Sequence, residues 1–429
     1  MRRAFVNARL LDPESGLDAL GGLLVIDEAI ADCGAHVRPQ ELAADIELVD
    51  CGGHCLAPGL VDMRTQFREP GEEHKETIDS ISRAAAAGGI TALVGLPNTS
   101  PAIDDVAVVE FVARRAREVK LVKIFVYGAV TKGLKGEELV EMGLLQEAGA
   151  LAFTDGIRAV RNARVMRNAL SYAQAFDALI IQHPEDPDLA KNGDMNEGEL
   201  ATRLGLAGIP AAAEAILLER DRRLVELTGG RYHAAHVSTG DGLEIVRSAK
   251  ATGLKITADT APPYFTLNEL EVEDYRTFAK VSPPLRSEPD RMAVVDALKD
   301  GTLDVIASDH SPHDQESKRI PFSQAEPGIV GVETMLPLAL ELYHDGHLPL
   351  LDLLAKMTCN PARLLGLPLG TLGIGKPADL VVFDPERPLR LNVKNGVGKS
   401  KNSPYEGRPV QGQVRMTIVD GRIVHQTFD

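Results

Sequence analysis

The sequence predicts an α/β fold, a (β/α)8 barrel of the TIM type with a small β-sandwich formed by both termini. Three observations carry this expectation. Between about residues 56 and 365, eight short apolar runs alternate with segments of helical period, the pattern of a parallel sheet wound with helices. Side chains able to bind metal or move protons recur where those runs end, at Asp155, His183, His236 and Asp309, while Asn98 closes another run. Such barrels gather their reactive groups at the C-terminal ends of the strands. The two ends of the chain instead read as short alternating strands separated by Gly and Asp-Pro turns.

In chain order, AFVNARLLDP, GGLLVIDEAIADCGA and IELVDC supply the N-terminal strands. The barrel runs come next: LVDMRTQF (60–67), TALVGLPN (91–98), VKIFVYGAV (122–130), GALAFTD (149–155), ALIIQHPED (178–186), RYHAAHVS (231–238), LKITADTAPPYF (254–265) and LDVIASDHSPH (303–313). Intervening stretches such as EHKETIDSISRAAAAGG and GDGLEIVRSAKATG have the apolar spacing of amphipathic helices closing on Gly. In the tail, ADLVVFDP and VRMTIVDGRIVH are strands expected to pair with those of the N-terminus. The expected division is therefore 1–55 and 366–429 for the sandwich and 56–365 for the barrel.

A chain of 429 residues with 44% hydrophobic and 25% charged residues can bury a sizeable core. Its net charge of −16 offers no basic field for nucleic acid or an anionic membrane. No apolar run approaches the ~18 residues of a bilayer span, and MRRAFVNARLLDP lacks the apolar stretch of a signal peptide, so the cytoplasm is the expected location. Cys33, Cys51, Cys55 and Cys359 read as reduced thiols. CGGHC (51–55) reads as a turn before a strand, since no second ligand pair follows at zinc-finger spacing.

Spread over nearly the whole chain are REPG (68–71), LPNTSP (96–101), FTDG (153–156), HPED (183–186), HVSTGDGLEIVR (236–247), PPLRSEPDR (283–291), SDHSPH (308–313), PGIVGVET (327–334), NPARLLGL (360–367) and GTLGIGKPADLVVFDP. Together they resemble the dihydroorotase family of the amidohydrolase superfamily. The resemblance implies hydrolysis of a cyclic amide by metal-bound hydroxide, reversibly closing carbamoyl aspartate to dihydroorotate. Such chemistry needs a Lewis acid that lowers the pKa of water from 15.7 to about 7, and a carboxylate to handle the proton. By position, Asp155, His183 and His236 would be metal ligands, and Asp309 both ligand and general base. Arg68, Asn98 and His313 would meet the substrate's carboxylate and ring.

The chain departs from this pattern in GLVDMRTQFREPG (59–71), where Arg64 and Gln66 stand in place of the His-x-His that binds the first metal. A guanidinium has no lone pair to give a cation, so a binuclear centre is not expected. At most one zinc ion, weakly held between His183 and His236 with Asp155 as third ligand, or none, is expected. Without the dication Asp62, Asp155 and Asp309 would face one another, so Arg64 is expected to restore positive charge by a salt bridge to Asp309 or Asp155. Ser282 and PPYF (262–265) also differ from the family's substrate-binding Asn and His-containing segment. The main reading is a degenerate, non-catalytic dihydroorotase-like chain of pyrimidine biosynthesis. For it the resemblance implies association with the catalytic subunit of aspartate transcarbamoylase, and a homo- or hetero-oligomer is expected. The alternative is an active dihydroorotase or related cyclic amidohydrolase with a single metal. A hydantoinase-like enzyme is a weaker third reading, because FTDG has Asp where those enzymes use a carboxylated lysine.

Overall fold

The computed structural model describes residues 2–427. Eight parallel strands succeed one another in chain order: β1 (Leu60–Thr65), β2 (Ile90–Gly95), β3 (Lys123–Gly128), β4 (Ala150–Phe153), β5 (Leu179–Gln182), β6 (Arg231–Ala234), β7 (Ile256–Thr260) and β8 (Val305–Ile306). Each overlaps one of the apolar runs. At the end of β1 and just past β8, Thr65 bridges His310 and the Gln66 N–H donates to the His310 carbonyl at 2.9 Å, which nearly closes the barrel. Every residue of β1 and β2 is buried, as expected for strands covered on both faces. Met63, Val94, Tyr127, Ala152, Ile181 and Val305 fill the interior, while Leu93, Ile81, Val112 and Leu170 pack in the layer between strands and helices.

The last apolar runs extend beyond their strands for a chemical reason. β7 stops at Thr260 because Pro262 and Pro263 cannot donate to a ladder, and they open a short helix, Pro262–Thr266. The helix after β1, Ile78–Ala87, starts where the Thr77 hydroxyl accepts from Ser80 N–H at 3.1 Å and ends at Gly88. A Cβ on Gly88 would lie 2.1 Å from the Val332 carbonyl, so the close approach of this helix end to the loop after β8 requires glycine.

The chain ends build one eight-stranded sheet rather than two hydrogen-bonded layers. Its order is Arg422–Gln426, Pro409–Val419, Leu380–Arg390, Cys55–Pro58, Arg2–Asp12, Leu17–Ile26, Ala29–Gly34, with Glu47–Asp50 parallel to Arg2–Asp12. Cys55–Pro58 stitches the two ends together, parallel to Arg9–Leu10 and antiparallel to Leu380–Phe383. Phe5, Leu10, Leu23, Leu380 and Ile418 form a core belonging to this sheet. The CGGHC segment is a turn, and all four cysteines are unbridged. Among the described residues no helix is long and apolar enough to cross a membrane.

Candidate active site

The ends of β1, β4, β5, β6 and β8 converge on one mouth. Beneath it, the fully buried Asp62 on β1 accepts from the Ser308 N–H at 3.0 Å and from the Ser308 hydroxyl, locking β1 to β8; burial pushes its pKa up to about 6. Two residues on, the guanidinium of Arg64, only 2% exposed, spans the centre. Its Nε donates to Asp309 Oδ1 at 2.9 Å, and its Nη2 lies 3.3 Å from His236 Nε2 and 3.4 Å from the Gly156 carbonyl. Of the two partners foreseen for Arg64, the structure selects Asp309. Gln66 joins the flanks, its amide donating to Ser311 Oγ at 2.9 Å and accepting from Asn98 Nδ2 at 3.0 Å.

The second oxygen of Asp309 lies 3.0 Å from His236 Nδ1, and His236 Nε2 lies 2.7 Å from His183 Nδ1. Burial and the neighbouring Arg64 push the His236 pKa down to about 4, so at neutral pH the ring is uncharged. The hydrogen-bond network assigns the tautomer: Nδ1–H donates to Asp309, and the Nε2 lone pair accepts from His183 and Arg64. Burial opposes ionisation of Asp309, but His236 and Arg64 outweigh it and hold that carboxyl well below the usual carboxylate range.

Three residues of this centre take left-handed backbone angles that side chains disfavour, with φ of +62° at Arg68, +39° at His236 and +49° at Asp309. The His236 turn is held from below. Its N–H donates to Asp259 Oδ1 at 2.5 Å, and the other Asp259 oxygen lies 2.9 Å from Nε2 of the buried His233. Arg68 is held by the Pro312 carbonyl, Glu72, Ser311 and His313 Nε2. The pKa of His313 falls to about 3 through burial and Arg68, and its buried Nδ1 has no hydrogen-bond partner among the described residues.

Gln66, Arg68, His236, Asp309, Ser311 and His313 line one cavity of about 280 Å³. It shares Ile157 and Ser282 with a second cavity of about 590 Å³, beside His183, Glu185 and Arg158. Asn98 reaches the first cavity through Gln66. Asp155 faces elsewhere, its oxygens accepting from Val130 N–H, Thr131 N–H and the Thr131 hydroxyl. The donor set therefore does not fit the two-metal centre that the resemblance implies: the Arg64 guanidinium has no lone pair to give a cation, and the Nε2 of His236 already lies within hydrogen-bond distance of both His183 and Arg64. A single ion between His183 and His236 would have to break their mutual bond and recruit Asp155 away from Thr131. Among the described residues no group of three or more His, Cys, Asp or Glu is set to hold a metal ion.

Residues 53–242 match the dihydro-orotase-like family and residues 330–425 the amidohydrolase family. The protein named dihydroorotase from Anaplasma phagocytophilum is 47% identical over 426 residues, covering 99% of this chain and 95% of that relative. The chain belongs to the dihydroorotase family. The dihydroorotase of Syntrophotalea carbinolica is 45% identical with complete coverage of both chains. Among solved structures, an L-hydantoinase from Arthrobacter aurescens superposes with a TM-score of 0.87 at 24% identity, covering 100% of this chain and 96% of that one. A dihydropyrimidinase from Brevibacillus agri gives 0.86 at 23%, covering 99% and 95%. These likenesses show the shared barrel fold.

Sequence reading missed several contributors to the dihydroorotase-family mouth. Asn402, from the tail, accepts the His313 N–H at 2.9 Å and donates to the Ser311 and Gly328 carbonyls. Tyr264, in the short helix Pro262–Thr266, sets its ring edge-on to His236 with centroids 6.2 Å apart. Asp259 was visible only as a polar residue inside a strand run. Asn402 left no local signal, because its contacts lie some 90 residues away in sequence.

Proposed function

We propose that this chain acts on the carbamoyl aspartate–dihydroorotate pair as a dihydroorotase, closing or hydrolysing the cyclic amide of pyrimidine biosynthesis. One observation carries the reading: Arg68, His313 with its unpartnered Nδ1, Gln66 and the ionised Asp309 share one cavity. The full-length relatives named dihydroorotase support it. In this reading Arg68 and His313, with Asn98 behind Gln66, orient the ligand's carboxylate and ring, and Asp309 accepts the proton from water in the hydrolytic direction. The test is turnover in both directions by the purified protein, once after chelation and once with added zinc. Folded protein silent under both conditions would rule the enzyme reading out.

A second reading is favoured by the Arg64–Asp309 ion pair, which occupies the carboxylate that hydrolysis needs. Here the chain is non-catalytic, works in the cytoplasm and supports aspartate transcarbamoylase within an oligomer. Co-expression with a transcarbamoylase catalytic subunit and size-exclusion chromatography test it. Co-elution with raised transcarbamoylase activity supports this reading; separate peaks with unchanged activity reject it.

A further inference from the structure

We propose that Asn402 is a positioning residue of the mouth: from behind the cavity wall its side-chain amide fixes the loops that carry the ligand-binding groups, and so sets ligand affinity. This rests on the proposed function, in which Arg68 and His313 orient the ligand. Asn402 is buried and does not itself line the cavity. Its side-chain carbonyl accepts the His313 N–H at 2.9 Å, and its Nδ2 donates to the Ser311 carbonyl at 2.9 Å and the Gly328 carbonyl at 3.0 Å. The partners settle which way the amide faces, since an N–H needs its oxygen and two carbonyls need its nitrogen. All three partner residues line the cavity. The backbones so joined are in close approach, for a Cβ on Gly328 would lie 2.4 Å from Ser311 Oγ. A planar amide with both donors and its acceptor engaged holds the two loops at one separation.

The loop that Asn402 holds also places Arg68. Arg68 Nε donates to the Pro312 carbonyl at 3.1 Å, and its Nη2 lies 3.2 Å from His313 Nε2, so a shift of Ser311–His313 moves both groups read as ligand-binding. With its backbone at φ +62°, Arg68 depends on such partners to keep its place. The tail that carries Asn402 is anchored on either side. Ser400 Oγ donates to the carbonyl of Lys75, a further wall residue, at 2.7 Å, and the Tyr405 hydroxyl lies 2.8 Å from Thr266 Oγ. The Val330 N–H donates to the Asn402 main-chain carbonyl at 3.0 Å. The amide is therefore a fixed mount, and a displacement of about 1 Å in groups mounted this way can cost on the order of 100-fold.

Steady-state kinetics in both directions and isothermal titration of dihydroorotate and carbamoyl aspartate test the proposal on wild type and N402A. Each is run after chelation and with zinc added, and thermal unfolding checks every variant. N402A is expected to raise KM and Kd roughly 10-fold or more, while kcat changes by less than about threefold. In a chain that binds without turnover, Kd carries the comparison. A residue acting through His313 shows itself by non-additivity: N402A/H313N is expected to bind within about twofold of H313N alone, and full additivity overturns the proposal. Unchanged affinity in folded N402A overturns it too and leaves the ligand reading standing. So does a fall in kcat at constant KM and Kd, which loss of active protein alone would produce. If N402A does not fold, N402S, which keeps one hydroxyl, is put through the same comparison. Wild type that neither turns over nor binds either compound, with or without zinc, overturns the ligand reading and the proposal with it.

Discussion

At the residue scale, Arg64 and Asp309 stand or fall together. Removing one partner of a buried pair leaves an uncompensated charge, which costs about 3 kcal/mol or more, whereas removing both is far milder. R64M should therefore lower the unfolding free energy by that order, and R64M/D309N should recover most of it in urea titrations. The two cavity histidines fix the sign of the pH dependence. His236 and His313 have folded pKa values of about 4 and 3, below the ordinary 6.5, so between those limits the unfolded chain binds more protons. Their contribution to stability is complete above 6.5 and is lost as pH falls through the window, at up to about 1.4 kcal/mol per unit for each group. The depressed Asp309 acts in the same sense at still lower pH, while Asp62, raised to about 6, opposes between about 4 and 6. Urea unfolding of wild type and H313Q from pH 4 to 7 isolates one proton: the wild-type curve should fall more steeply on acidification, and parallel curves would refute the assignment.

At the element scale, the strands were legible because each is a buried run of apolar residues bounded by turn signals, and all eight barrel runs overlap a strand. The turns after the strands were less legible. Left-handed backbone at His236 and Asp309 is imposed by long-range partners, and nothing in HVSTGDG announces that Asp259 will take the His236 N–H. D259A should cost roughly 2 to 4 kcal/mol, since it leaves the strained amide and the His233 ring unpaired; a loss below about 0.5 kcal/mol would mean that the turn holds itself. The segment 315–329 along the cavity is pinned in a similar way. The Lys318 ammonium, fully buried, donates to the Glu326 carbonyl at 2.6 Å and the Gly328 carbonyl at 3.2 Å. Burial and the neighbouring Lys280 lower its pKa to about 7. K318M should raise amide hydrogen exchange across 326–331 while leaving the far side of the barrel, at β3 and β4, unchanged.

At the scale of the whole molecule, the tail closes over the mouth that the barrel builds, Asn402 binding residues on two separate loops. The terminal strands and the barrel were readable from alternation and period; this union of sheet domain and site was not, because it joins residues far apart in the chain. An ion pair between Arg64 and a carboxylate of the mouth was readable from the sequence. The identity of that charge's partner and the turning of Asp155 toward Thr131 depend on geometry alone. A fixed guanidinium, that of Arg64, stands at the centre of this mouth, where the resemblance implies a metal centre. The most direct test is elemental analysis of wild type and R64H/Q66H after dialysis against zinc, the double variant supplying both missing imidazoles and removing the repelling charge. Fewer than about one ion per wild-type chain and a clear rise in R64H/Q66H are expected; about two zinc ions bound per wild-type chain, as in a two-metal hydrolase, would overturn the assignment of Arg64.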